Sequence, residues 1–134
     1  MLPTSLEMIN IKDGYEKVAS DFCQNYYRIW DNDFNMICKL YISSPMITYL
    51  DMKFNKVYYL INYIKNSQGI CKFDHINFKG TSQPLDENSI LIQITGTITV
   101  NNSIYWRKYT ETLIIKRNIW NTWHISNSIF SLID

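Results

Sequence analysis

Between Ile90 and Val100 the chain alternates: Ile90, Ile92, Ile94, Gly96, Ile98 and Val100 fall on one side, and Leu91, Gln93, Thr95, Thr97 and Thr99 on the other. A two-residue period sustained this long suits a β-strand with one dry face, because a helix would scatter the isoleucines around its circumference. Asn101-Asn102 follows as a turn signal, and Ile104 to Ile115 is the predicted return strand. Arg117-Asn118 makes another turn before a last strand over Trp120 to Leu132. Upstream, Lys72 to Gly80 reads as a strand and Gln83-Pro84-Leu85-Asp86 as the loop behind it. Gly96, in mid-strand, suits a sharp bend of the sheet.

The first third reads as helical. Ile11, Tyr15, Val18, Phe22, Tyr26 and Ile29 recur at steps of three and four, giving one apolar stripe on a long helix. Asp31-Asn32-Asp33 stops it and offers a cap for a short second helix over Phe34 to Tyr41. Pro45 begins an extended piece, and a third helix is predicted from Val57 to Lys65, with Tyr58, Ile61 and Ile64 or Leu60 inward. Helices first and antiparallel hairpins after them predict an α+β fold: a curved sheet with three helices on its concave side.

Composition narrows the function. The 134 residues suit one domain, 1–134, with residues 1–10 expected to be flexible. A net charge of +1 argues against a phosphate backbone as the main partner, and no apolar run approaches the ~20 residues that cross a bilayer. The first eleven residues do not read as a secretory signal. Cys23, Cys38 and Cys71 are expected to be buried or half-buried free thiols in a reducing compartment, and two histidines leave no zinc spacing. Ile occurs 21 times, Asn 14 times and Ala once, an AT-rich codon bias that makes the ten tyrosines weak support for a base-stacking surface.

Acid–base groups are sparse. Asp74 and His75 are adjacent, so on a strand they face opposite ways and cannot cooperate directly. His124 reads as a rim or surface residue, and neither Asp51 nor Asp74 has a spacing that singles it out as catalytic. No cofactor or metal site is expected. Tyr105, Trp106 and Tyr109 share the long return strand and are candidate dimer-face residues, because three helices cover only one face of the sheet.

Several strings, in this order, resemble the nuclear transport factor 2 family. They are Phe22 with Tyr26-Tyr27; Asp31-Asn32-Asp33; Leu40-Tyr41 with Ser44, Met46, Thr48 and Tyr49; Phe54; Gln83-Pro84; Gly96; and Trp123 to Asn127 with Phe130. The resemblance covers Tyr15 to Leu132. It implies a cone of bent antiparallel sheet wrapped on three helices and dimerised through the sheet. It further implies a non-enzymatic carrier of the nucleus, nuclear pore and cytoplasm that binds phenylalanine-glycine nucleoporin repeats and GDP-bound Ran. The alternatives are the small subunit of an mRNA-export receptor heterodimer, or a small-molecule isomerase or dehydratase on the same cone. An internal polar dyad would favour the enzyme.

The family's Ran-pocket positions are altered here. Tyr49 and Leu50 stand where Ran carriers have tryptophan and glutamate, and Asn101, Asn102 and Ser103 replace the acidic hairpin turn. Ser128 and Ser131 stand at the family's terminal Asp and Arg. Close charge pairs at an interface are worth ~1.5 kcal/mol or more each, so the usual Ran contact is weakened. Tyr15 occupies the place of a family aromatic near a repeat-binding cleft. Neither nucleic acid nor membrane insertion is expected.

Overall fold

The computed structural model describes the backbone of residues 5–133 and the side chains of residues 14–133. Of residues 1–10, expected to be flexible, residues 1–4 lie outside the described residues and the backbone of 5–10 belongs to the first helix. A long helix, α1 (Ser5–Asp33), leads into a 3-10 segment (Phe34–Leu40), then β1 (Tyr41–Tyr49) and β2 (Met52–Phe54). Helix α2 (Val57–Asn62) runs on into a π-helical turn (Tyr63–Ser67). Four long strands complete the chain: β3 (Phe73–Asp86), β4 (Ser89–Val100), β5 (Arg107–Arg117) and β6 (Trp123–Leu132). They form one six-stranded sheet in the order β2-β1-β6-β5-β4-β3.

The cone-like α+β architecture agrees with the sequence, and four details differ. Among the described residues there are two α-helices rather than three: the second predicted helix is the 3-10 segment, capped as expected by Asp33, whose side chain accepts from the Asn35 N–H. The sheet is mixed, because β1 joins β6 in parallel while the other pairs are antiparallel. Strand β3 runs through the expected Gln83–Asp86 loop, pairing Pro84 with Ile90 at the sheet edge, where a missing N–H is tolerated. Tyr58 faces solvent at 67% exposure, while Val57, Leu60, Ile61 and Ile64 are buried.

The buried face of α1 lies one residue off the predicted stripe. Ala19, Cys23, Tyr26, Tyr27 and Trp30 are buried, and Val18, Phe22 and Ile29 flank them half-buried. Beyond Ala19 and Cys23 the rings of Tyr26, Tyr27 and Trp30 pack into the middle of the sheet, while a cleft of about 470 Å³ lies between Ala19 and Cys23 and the strands at Gly80 and Ile92. Of the cysteines only Cys23 is buried, its thiol pushed up to about 12 by desolvation and then by the charge of Glu111; Cys38 and Cys71 are exposed. Among the described residues no helix is long and apolar enough to cross a membrane.

Gly96 serves a close approach. A Cβ there would stand 2.9 Å from both Cε1 and the hydroxyl of Tyr109, its cross-strand partner, and 3.0 Å from the Phe78 Cα. The glycine makes the space into which Tyr109 turns, and its φ is not positive. Gly96→Ala is expected to destabilise the fold by about 1–3 kcal/mol through overpacking against ring and backbone, read as a lower urea midpoint with an unchanged m-value. A neutral effect would mean that Tyr109 repacks freely.

Candidate functional site

The strand alternation of β5 places Tyr109, Glu111, Leu113 and Ile115 on the inner face, and all four are buried. Glu111 is a carboxylate in a row of hydrophobic residues. Tyr26 donates to its Oε2 and Tyr27 to its Oε1, each at 2.8 Å, and the Tyr26 hydroxyl lies 3.3 Å from that of Tyr41. Burial raises the Glu111 pKa, against the lowering effects of the two tyrosine bonds and of His75. Desolvation and the nearby carboxylate in turn push the phenols of Tyr26 and Tyr27 well above their ordinary range.

A second polar pair faces the same interior. Asp31, at the end of α1, accepts from the His75 ring Nδ1 at 2.6 Å through Oδ1, and from the His75 backbone N–H at 3.0 Å through Oδ2. The imidazole is buried, 4.5 Å from the Tyr27 ring and 5.5 Å from that of Tyr109. Asp74 turns the other way to meet the Lys72 ammonium at 3.4 Å, as alternation required. A polar dyad is therefore present across 44 positions of sequence, made by the buried His75 and the part-exposed Asp31, which lines the cleft at the end of α1 rather than the inner chamber. His124 is half-buried in the register opposite Lys116.

Tyr26, His75 and Glu111 line a small inner chamber of about 20 Å³ with Trp30, Tyr41, Tyr49, Phe73, Ile98, Ser128 and Phe130 among its walls, whereas Asp31 lines a separate cleft at the end of α1. The chamber has room for about one water molecule. A cleft of about 230 Å³ opens beside it at the cone mouth, lined by Tyr49, Leu50, Ile70, Tyr105, Phe130 and Leu132 among others. Tyr49, Phe73, Ile98 and Phe130 wall both spaces. Arg107 lines the mouth, and none of the described lining residues is acidic.

Of the predicted Ran-pocket residues, Tyr49 and Leu50 line this cleft, while Asn101, Asn102 and Ser103 form the turn after Val100 and are not among its walls. Tyr49 is buried, stacks on Phe130 at 5.4 Å and donates to Gln68 Oε1 at 2.7 Å. Leu50 holds a left-handed backbone (φ 55°) in the β1–β2 turn and packs half-buried against the core. Asn101 and Asn102 share that conformation, with φ of 53° and 57°. The Asn101 side chain is occupied within the fold: Oδ1 accepts from the backbone N–H groups of Cys71 (2.8 Å) and Lys72 (3.3 Å), while Nδ2 donates to the Gly69 carbonyl (3.1 Å). Ser103 Oγ accepts from the Tyr105 N–H at 3.1 Å.

The candidate dimer-face set needs correction. Tyr109 is fully buried inside the cone, where Gly96 admits it. Tyr105 and Trp106 are exposed but precede β5, which begins only at Arg107. The hairpin end is irregular because the Thr99 hydroxyl reaches the carbonyls of Ser103 (2.8 Å) and Tyr105 (3.0 Å). The outward sheet face is instead built from Met46, Asn127, Ile114 and Leu91 in one register row, Thr48, Ile129, Thr112 and Gln93 in the next, and Ser131, Thr110 and Thr95 in a third. None of these carries a charge, but Lys53 ends the second row on β2 and Lys79 the third on β3; Gln93 bridges Thr110 and Thr112 at 2.7 and 2.8 Å. Tyr15 packs half-buried against the core. The described residues hold no group of three or more His, Cys, Asp or Glu arranged for a metal ion.

Comparison with known proteins places this geometry. Residues 18–132 match the model of the nuclear transport factor 2 (NTF2) domain. Nuclear transport factor 2 from Cryptosporidium parvum superposes with a TM-score of 0.78 at 19% identity, covering 88% of this chain and 94% of that one. Yeast UBP3-associated protein BRE5 gives 0.70 at 20% identity, covering 90% and 97%. An enzyme is also similar: the hexachlorocyclohexane dehydrochlorinase LinA-type3 of Novosphingobium barchaimii LL02, with a TM-score of 0.71 at 7% identity, covering 93% and 91%. At these identities the solved structures speak for the fold, which serves enzymes and non-enzymes alike.

Two predictions follow from the buried polar groups. Because Glu111 holds its proton more tightly folded than unfolded, the folded chain binds more protons between the ordinary value of 4.5 and the raised one, and stability falls as pH rises through that window. Glu111→Gln removes this dependence, so the variant's urea midpoint is expected to improve relative to wild type as pH rises from 4.5; a constant difference would refute the assignment. Asp31→Asn weakens both bonds to His75 and is expected to destabilise by about 1–3 kcal/mol, measured by chemical denaturation.

Proposed function

Because the chain belongs to the nuclear transport factor 2 domain family, we propose that it acts as a dimeric, non-enzymatic adaptor of nucleocytoplasmic transport that binds phenylalanine-glycine nucleoporin repeats. The observation that carries the adaptor reading is the central part of the outward sheet face, uncharged from β1 to β4, with Lys53 and Lys79 on the edge strands and Lys108 and Lys116 at the two ends of β5. Its three register rows present Met46 at 70% and Ile129 at 51% exposure among threonines, a surface that associates without desolvating charge. Tyr15 is the candidate for repeat binding, since a phenylalanine ring needs an apolar cleft and no paired charge. Such contacts bring ~2–3 kcal/mol per ring and give useful avidity only in multiples. Nucleus, pore and cytoplasm are the compartments in which this activity belongs.

The apolar mouth bears on the cargo. GDP-bound Ran received through lysine–carboxylate pairs finds Leu50 and the neutral turn Asn101 to Ser103 instead, with Asn101 already engaged by the Gly69–Lys72 segment. This favours an adaptor paired with a larger mRNA-export receptor over a Ran carrier. A further reading, proton transfer to a small substrate, is supported by the Asp31–His75 pair, in which the carboxylate fixes the imidazole as a general base would need. Against it stands Glu111, whose two oxygens are held by tyrosine hydroxyls in a chamber with space for one water.

The wild-type protein is expected to run as a dimer in light scattering, and Ile129→Asp to shift it toward monomer. A nucleoporin repeat segment is expected to bind it weakly and reversibly, and Tyr15→Ala to reduce that binding. Calorimetric titration with GDP-bound Ran at near-physiological salt is expected to give no micromolar binding. A monomeric wild type that ignores repeats would remove the adaptor reading; micromolar Ran binding would restore the Ran carrier.

A further inference from the structure

The sheet has an open edge that the transport reading does not use. Strand β3 is the last in the sheet order, and its backbone groups alternate between β4 and the outside. The His75 N–H points outward, since the Asp31 carboxylate at the end of α1 accepts it at 3.0 Å. The bulge between Ile76 and Lys79 then inserts one residue, which moves the outward positions to Gly80, Ser82 and Pro84. Pro84, which has no N–H to give to a ladder, agrees with that phase. The N–H and C=O of Gly80 and Ser82 and the C=O of Pro84 thus face away from β4, and no described residue bonds them. Their side chains lie on the inner face, opposite the buried Ile94, Ile92 and Ile90. The cleft of about 470 Å³ lies between this stretch and Ala19 and Cys23 of α1. Thr81, on the other face, lines it too, so the cleft opens over the strand edge.

Sheet edges are normally closed by charge, proline or bulges. On β3 such devices stand at both ends, with the bulge and Lys79 on one side and Pro84 and Asp86 on the other. Between them Gly80 to Gln83 is uncharged and in unbroken register. We propose that this edge takes an extended peptide of a partner protein as a seventh strand, antiparallel to β3, with alternate side chains in the cleft under α1. Residues opposite one another share a face, so the peptide residue facing Ser82 points inward, where a branched aliphatic side chain meets Ala19, Cys23 and Ile92. Charge selects the flanks. Asp86 and Glu87 stand exposed where such a peptide enters, and Lys79 where it leaves. Glu16 is the one charged residue among the described lining of the cleft. The complement is lysine or arginine ahead of an uncharged stretch. The surface requires neither the outward sheet face nor Tyr15, so it and the transport reading stand or fall separately.

The probe is the peptide acetyl-Lys-Lys-Val-Thr-Val-Thr-Val-amide, added to full-length protein carrying nitrogen-15 only in its four glycines. Gly80→Ala assigns the relevant amide signal, since a Cβ there meets Ile92 and Ile94 at an ordinary 3.6 and 3.7 Å. The Gly80 signal is expected to move saturably, with those of Gly69 and Gly96 unmoved. N-methylation of the central valine, whose N–H faces β3, is expected to weaken binding at least about tenfold; N-methylation of a threonine, whose N–H points away, is expected to change it by less than about twofold. Glutamates in place of the two lysines are expected to weaken binding, and less so at high salt. Ser82→Pro removes an N–H that the ladder does not use, and is expected to fold and to lose the peptide. If it fails to fold, the ranking of the methylated peptides on wild type still decides. Equal loss from both methylation patterns, tighter binding of the glutamate peptide, or no movement at millimolar peptide would each overturn the proposal. So would a Gly80 signal that moves with protein concentration alone, the mark of a second copy on this edge.

Discussion

A carboxylate taken out of water needs donors, and inside this cone Glu111 obtains them from two consecutive residues of one helix. Tyr26 and Tyr27 come from α1 and Glu111 from the centre of β5, so the bonds at 2.8 Å fix the rotation of the helix on the sheet. That rotation turns Trp30 toward Phe34 and Phe73 and sets Asp31 within 2.6 Å of His75. Apolar packing alone would let a helix slide or roll at small expense. A buried polar network does not, because any displacement leaves a group unpaired in a low-dielectric interior.

The cone mouth follows a different logic. Leu50, Asn101 and Asn102 hold left-handed backbones in two turns that frame the cleft, and Asn101 ties its turn to the segment between Gly69 and Lys72. The rim is thus ordered before any partner arrives, which lowers the conformational entropy lost on binding. Its lining is apolar with Arg107 as a cation and no described carboxylate.

Much of the fold was legible because alternation and helical period survive in single sequences: the β4 pattern, the Asn101-Asn102 turn and the cap at Asp33 all stand where they were read. Boundaries were harder. The 3-10 segment looks like a helix in its periodicity, and the start of β5 depends on where the Thr99 hydroxyl finds carbonyls. Tyr109 was misplaced because β5 was extended back to Ile104 and an aromatic on a strand is equally at home on either face. Glu111 could have been found, since counting alternately from Leu113 and Ile115 puts a carboxylate on the dry side.

What the sequence determined by itself was the long first helix, the dry face of β4 and the turn at Asn101-Asn102, because each depends on neighbouring residues or on a short motif. The Asp31–His75 pair and the Glu111 network were decided only by tertiary structure. Their partners lie 44 and about 85 positions apart, and no local rule links them. They meet because a long helix crosses a bent sheet, held there by the bonds of Tyr26 and Tyr27 to Glu111, and because a glycine at 96 yields its space to Tyr109.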